Sequence, residues 1–163
     1  MEGSSAWGLL LIASTIVMHA AGICLLGFVL RDIHDWLEAQ TRLGTSHLFA
    51  TFGSVIGVTG VLLAVLHGLE AAVWAAAYVW LGALPTASQA LLYSIDSMST
   101  RGASGLMLEN NWRLMGALEA TDGMLLFGIS TAFIFAVMQG YWPLLIRQHR
   151  VRRVGQPLDG GGS

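Results

Sequence analysis

The sequence contains no lysine. All eight basic residues are arginine, and only 11% of the 163 residues are charged. A soluble domain carries about 25% charged residues. With 55% of its residues apolar, a chain this short cannot bury the excess in one core, because small domains leave a large share of their surface wet. The solvent that fits the excess is lipid. Cysteine is almost absent as well. Cys24 stands alone in an apolar run, which excludes an intrachain disulfide and makes it read as a small buried hydrophobe. No basic patch offsets the net charge of −2, so a nucleic-acid partner is excluded. The sequence also lacks a glycine-rich phosphate loop, a nucleophile elbow and a cluster of metal ligands, so neither an enzyme nor a cofactor is expected.

What is present is length in apolar runs. A transmembrane helix needs about 20 mostly apolar residues. Three segments meet this, from about Trp7 to Leu30, Leu48 to Leu84 and Leu114 to Ile146. The flank Met1–Glu2–Gly3–Ser4–Ser5 lacks the positive charge of a signal peptide, so the first run reads as a retained span. The excess length of the second is taken up by tilt, or by its start lying along the interface. Residues 31–47 form a linker in which Ile33, Trp36 and Leu37 fall at helical spacing opposite charged residues. This predicts a short amphipathic helix on the membrane surface. No internal repeat or soluble domain is visible, and Leu158 to Ser163 reads as a flexible tail.

Arginine placement gives the orientation. Arg31 and Arg42 lie in the linker, and Arg147, Arg150, Arg152 and Arg153 follow the third run, whereas only Arg101 and Arg113 lie between the second and third. The side holding six of the eight arginines is expected to be cytoplasmic. The N-terminus is then outside. Trp80 and Trp112 are candidate interface anchors there, with Tyr141 and Trp142 at the inner end.

The connection from Pro85 to Trp112 is too apolar for an ordinary loop. Thr86–Ala87–Ser88–Gln89 is a capping-box pattern. Ala90 to Met98 then reads as a helix too short to cross a bilayer, and Ser99 to Gly105 is rich in hydroxyls and small residues. A short helix leading into a small-residue extended segment between two spans describes a re-entrant pore loop. Backbone of that kind is tolerated at membrane depth only if it is buried in protein or lines water. The partial negative charge at the helix C-terminus favours a cation, and the segment beyond can replace its water shell with carbonyl and hydroxyl oxygens. One loop cannot surround an ion, so several subunits must converge. The competing reading is an outer loop that dips into the interface.

From about Thr59 to Trp142 the chain resembles the pore module of bacterial potassium-channel family proteins. The resemblance is most specific in Trp112–Arg113–Leu114–Met115–Gly116–Ala117–Leu118–Glu119 and in Gly123 to Phe133, which look like the inner helix of small members carrying an extra N-terminal span, and in Tyr93–Ser94–Ile95, similar to their pore-helix end. It implies an all-α membrane protein. The implied parts are an N-terminal span (1–30), a cytoplasmic linker (31–47), a pore module of outer helix, re-entrant pore helix, filter and inner helix (48–146), and a basic cytoplasmic tail (147–163). Four copies assemble as a homotetramer in the inner membrane.

The filter departs from the family. Where the potassium signature reads Thr-Val-Gly-Tyr-Gly-Asp, this chain has Thr100, Arg101, Gly102, Ala103, Ser104 and Gly105. The tyrosine that braces the filter wall is Ala103, and the second glycine is Ser104. Architecture carries over more safely than potassium selectivity. In the family the side chain at the position of Arg101 points behind the filter, and some members carry an acid where Asp96 stands. Arg101 is therefore expected either to pair with Asp96 or to point into the pore, where it repels cations or attracts anions.

Ionisable groups inside spans are functional candidates, because exposing them to lipid is costly. His67 and Glu70 share one helix face and form either a proton-sensitive pair or an interhelical hydrogen bond in the assembly; two ligands are too few for a metal site. Glu119 fits the family pattern and is expected to brace the filter from behind. Asp122 can contact water at the outer vestibule, and His19 reads as a packing or hydrogen-bonding residue. Gly123 and Gly128 serve either close packing or a hinge. Ser130 and Thr131 can line the inner cavity. The first expectation is a channel for monovalent cations with weak or atypical selectivity. The alternatives are a non-conducting scaffold or regulatory subunit, and an anion pore lined by Arg101, which the pore-helix dipole opposes.

Overall fold

The computed structural model describes residues 2–39, 45–102 and 105–154. They form four helices: α1 (Glu2–Ala39), α2 (Thr45–Trp80), α3 (Ala87–Met98) and α4 (Arg113–Val154). Three contain stretches long and apolar enough to span a bilayer, Ser4–Leu37, Ala50–Trp80 and Arg113–Pro143. Their most apolar windows are only 11%, 17% and 22% buried, so most of each window faces outwards. Leu9, Val17, Leu25 and Phe28 of α1, Val61 of α2 and Phe135 of α4 are all exposed. Cys24, expected to be buried, is on this outward surface.

α1 corrects the reading of the linker. The helix runs unbroken through Arg31 to Ala39, because no glycine or proline interrupts that stretch. Its buried positions there are Leu30 and Leu37, with Ile33 packed beside them against Val55, Val137 and Tyr141, while Trp36 points out. Tyr141 Oη donates to the Leu30 carbonyl at 2.8 Å and fixes α1 to α4 at this end. The segment 40–44 lies outside the described residues.

α2 stops at Trp80, earlier than Pro85 would require. Gly82 takes φ +71°. Its N–H donates to Val79 O at 3.1 Å and that of Ala83 to Tyr78 O at 2.9 Å. These are the two hydrogen bonds of a Schellman stop, which favours glycine because it needs a left-handed residue. α4 extends past the expected end of the third run and carries Pro143 within it, so residues 147–154 are helical and not an irregular tail.

α3 begins as the sequence predicts. Thr86 is its N-cap, with extended backbone, and its Oγ1 accepts from the Gln89 N–H at 3.3 Å. α3 lies against both α2 and α4, and α1 lies against the same two helices. The larger core cluster, including Trp74, Tyr78, Tyr93, Met98, Met115 and Leu126, fills the end of the bundle where α3 packs. Close approach is possible because the contact points lack side chains. A Cβ on Gly8 would stand 2.6 Å from Leu118 Cδ1, and one on Gly22 2.8 Å from Leu66 Cδ2.

Candidate functional site

The segment that follows α3 is anchored by the helix's own end. Thr100 N–H donates to Ser97 O and Arg101 N–H to Asp96 O, each at 3.0 Å. This is again a Schellman stop, but the left-handed position is occupied by Thr100, at φ +58°. A β-branched residue is an outlier in that region. The chain therefore leaves α3 through a turn, not directly into an extended segment as the sequence reading expects, and the reason is capture of the Asp96 and Ser97 carbonyls. Gly102 (φ +83°) and Gly105 (φ +79°) are also left-handed. Ala103 and Ser104 lie outside the described residues.

The structure brings Asp96 and Arg101 together. Asp96 is buried (1% exposed), and its Oδ1 lies 3.5 Å from Arg101 Nη1. The Arg101 side chain is 71% exposed, so only its tip engages the acid. Behind α3, Glu119 is fully buried and accepts from Tyr78 Oη at 2.8 Å. Ser94 and Ser97 stand beside the same carboxyl, and Ser97 Oγ donates to Gly116 O at 3.2 Å. Gly123 is a packing point, since a Cβ there would lie 2.6 Å from Met98 Cα, whereas Gly128 faces open space.

Asp122 is not at a water-facing vestibule. It is fully buried, and its Oδ2 accepts from Thr15 Oγ1 at 2.7 Å and from Trp74 Nε1 at 3.0 Å. Three helices meet at this carboxyl because α1 covers it against α2 and α4. His67 and Glu70 do not bond each other; Glu70 instead makes an interhelical hydrogen bond, within one chain. Glu70 Oε1 lies 2.7 Å from His19 Nδ1 on α1, with both side chains fully buried. His19 Nε2 lies 3.1 Å from Ser130 Oγ on α4. His67 Nδ1 lies 2.8 Å from the Leu63 carbonyl. The His67 ring stacks on Phe127 at 4.5 Å and meets His19 edge-on at 5.1 Å.

These groups form a polar belt through an otherwise apolar bundle. Thr15, His19, Trp74 and Tyr78 join it although the sequence reading gave none of them a functional role. A signal for them exists. Thr15 and His19 are one helical turn apart, Glu70, Trp74 and Tyr78 repeat at the same interval, and Glu119, Asp122 and Ser130 follow one stripe of α4. The belt is incompletely satisfied: Glu70 Oε2, Glu119 Oε1, Asp122 Oδ1 and His67 Nε2 are buried without a hydrogen-bond partner among the described residues. Such groups carry a desolvation penalty that a ligand or a second subunit can relieve. A cavity of about 380 Å³ opens beside the belt, lined by His67, Met98, Ser99, Phe127, Ser130 and Thr131 among others. Ser130 and Thr131 thus line a cavity between the helices of one chain. No family model, curated protein or solved structure matches this chain, and its three long apolar helices are those of a multi-pass membrane protein.

Proposed function

We propose that the chain is one subunit of a tetrameric pore-loop channel in the bacterial inner membrane, passing monovalent cations with atypical selectivity. The observation that carries this reading is the depth at which α3 ends. Met98 packs against Gly123, ten residues beyond the start of α4 at Arg113, about 15 Å along the helix. Met98 and Ser99 share a cavity with Ala71, nine residues before the end of α2 at Trp80, about 14 Å along that helix. Both distances are about half of a hydrocarbon core of ~30 Å. A capped half-helix that starts where α2 ends and stops at mid-depth is a re-entrant element. In this reading its C-terminal end and residues 99–102 face the membrane centre, where they favour a cation. The pairing of the Arg101 tip with buried Asp96 supports the behind-filter reading of this arginine over one in which its charge is spent on a permeating ion. Orientation follows the arginine bias, with the connection carrying α3 outside.

One observation favours a second reading, a non-conducting scaffold. The turn at Thr100 consumes two carbonyls at the end of α3 that an open filter would present to an ion. Flux into liposomes separates the two. Purified protein is reconstituted, and potassium, sodium, caesium and chloride gradients are compared with empty liposomes. Cation flux without chloride flux is the expected result. No flux above empty liposomes in any gradient makes the protein a scaffold, and chloride flux alone makes it an anion pore.

A further inference from the structure

We infer that His19, His67 and Glu70 form a buried binding site for a divalent transition-metal ion of the zinc type, clamping α1 to α2 beside Ser130 of α4. One ligand atom from each of the three residues lies within 4.8 Å of the others. In a tetrahedral zinc site, metal–ligand distances of about 2.0–2.2 Å place ligand atoms about 3.4 Å apart. Side-chain adjustments of about an ångström therefore close the site.

The hydrogen bonding around the cluster prepares it. A carbonyl can only accept, so His67 Nδ1 must donate to Leu63 O. In the neutral ring this leaves the Nε2 lone pair free, and that atom is buried with no partner. A histidine whose other ring nitrogen donates to a backbone carbonyl is held as metal-binding histidines are held. Glu70 is fully buried, and its Oε2 also has no partner. His19 faces Glu70 through Nδ1 and Ser130 through Nε2. A hydroxyl can donate or accept, so Ser130 suits either tautomer of His19.

Binding would displace the proton shared by His19 Nδ1 and Glu70 Oε1. His19 then ligates through Nδ1 and donates Nε2–H to Ser130: a proton carried by His19 Nδ1 in a neutral ring moves to Nε2 with no net release, and one carried by the Glu70 carboxyl leaves to solvent. Two neutral imidazoles, one carboxylate and a dication leave one positive charge. Two imidazoles with one carboxylate suit zinc, cobalt, nickel or iron, and not magnesium or calcium, which take oxygen ligands. A cavity lined by His67 and Ser130 adjoins the cluster and would have room for a small solvent molecule as a fourth ligand. This inference does not depend on the channel reading.

The test uses the full chain in detergent, without a polyhistidine tag, stripped by a chelator and titrated with zinc and with cobalt. One ion per chain is expected, with the cobalt form showing the visible absorption of a tetrahedral site and magnesium failing to compete. His67→Gln and Glu70→Gln should each weaken binding at least tenfold while leaving helical content and elution volume unchanged. His34→Gln, remote from the cluster, should bind like the parent. Binding that survives both His67→Gln and Glu70→Gln overturns the site, as does no binding to the parent chain. If His67→Gln or Glu70→Gln fails to fold, His67→Asn and Glu70→Ala take their place, and zinc should then no longer raise the thermal midpoint as it does for the parent. An equal rise in these variants overturns the proposal.

Discussion

Asp122 shows how one side chain can tie several helices together within the buried polar belt. Its Oδ2 is shared by a hydroxyl on α1 and an indole N–H on α2. The two donors are not equally dependent on it. Thr15 Oγ1 also reaches the Leu11 and Ile12 carbonyls at 2.8 and 3.0 Å, whereas Trp74 Nε1 has only the carboxylate among the described residues. Replacing Asp122 with alanine should therefore cost about 1–2 kcal/mol, chiefly through the orphaned indole. Asp122→Asn keeps an acceptor oxygen and should cost less than half of that. Thermal unfolding in detergent, followed by circular dichroism, measures both; equal losses would mean that the cost comes from the lost charge and not from the orphaned indole. Of these three residues, the sequence singled out only Asp122, as an ionisable group inside a span. Its partners are ordinary helix residues until the helices are placed side by side.

At the scale of the element, α2 and α3 end in the same way with different residues. α2 uses Gly82, and α3 uses Thr100 at φ +58°. A left-handed residue with a Cβ costs about 1–2 kcal/mol relative to glycine. Thr100→Gly should therefore raise the thermal midpoint, by an amount equivalent to about 1 kcal/mol. A fall would mean that the threonine side chain contributes contacts worth more than its backbone strain. Strain of this size is kept where surrounding structure over-determines it, often at functional positions, and here it sits at the head of the candidate filter. The start of α3 was legible because capping is local: Thr86 and Gln89 are three residues apart. Its exit was not, because nothing local in Thr100 announces a left-handed backbone. The unbroken course of α1 was missed for a related reason. Charge at Arg31, Asp32 and Asp35 resembles a boundary, yet charged residues are compatible with helical backbone, and that stretch holds neither a proline nor a left-handed stop.

For the whole molecule, aromatic residues mark two levels. Trp7 and Trp80 meet edge-on at 5.2 Å, and Trp36, Phe52 and Trp142 lie toward the opposite end. From Trp7 to Trp36 along α1 is 29 residues, about 44 Å, the thickness of a bilayer with its interfaces. The arginine bias then makes a prediction about sides. In a Cys24→Ser background, Asn111→Cys should react with an impermeant maleimide in intact cells, and Asp35→Cys only after permeabilisation. The reverse pattern inverts the orientation. The sequence by itself determined that the chain enters a membrane, that it does so with three long helices, and that a capped short helix lies between the second and third. These follow from composition, run length and near-neighbour spacing, which need no knowledge of folding. Tertiary structure alone decided which polar groups meet. His19 and Glu70 are 51 positions apart, and Thr15 and Asp122 are 107 apart. Helices apolar on nearly every side carry little record of which face turns inward. Their rotation is set by close packing at points such as Gly8 and Gly22, and that packing carries His19 from a solitary residue in an apolar run to the centre of the buried belt.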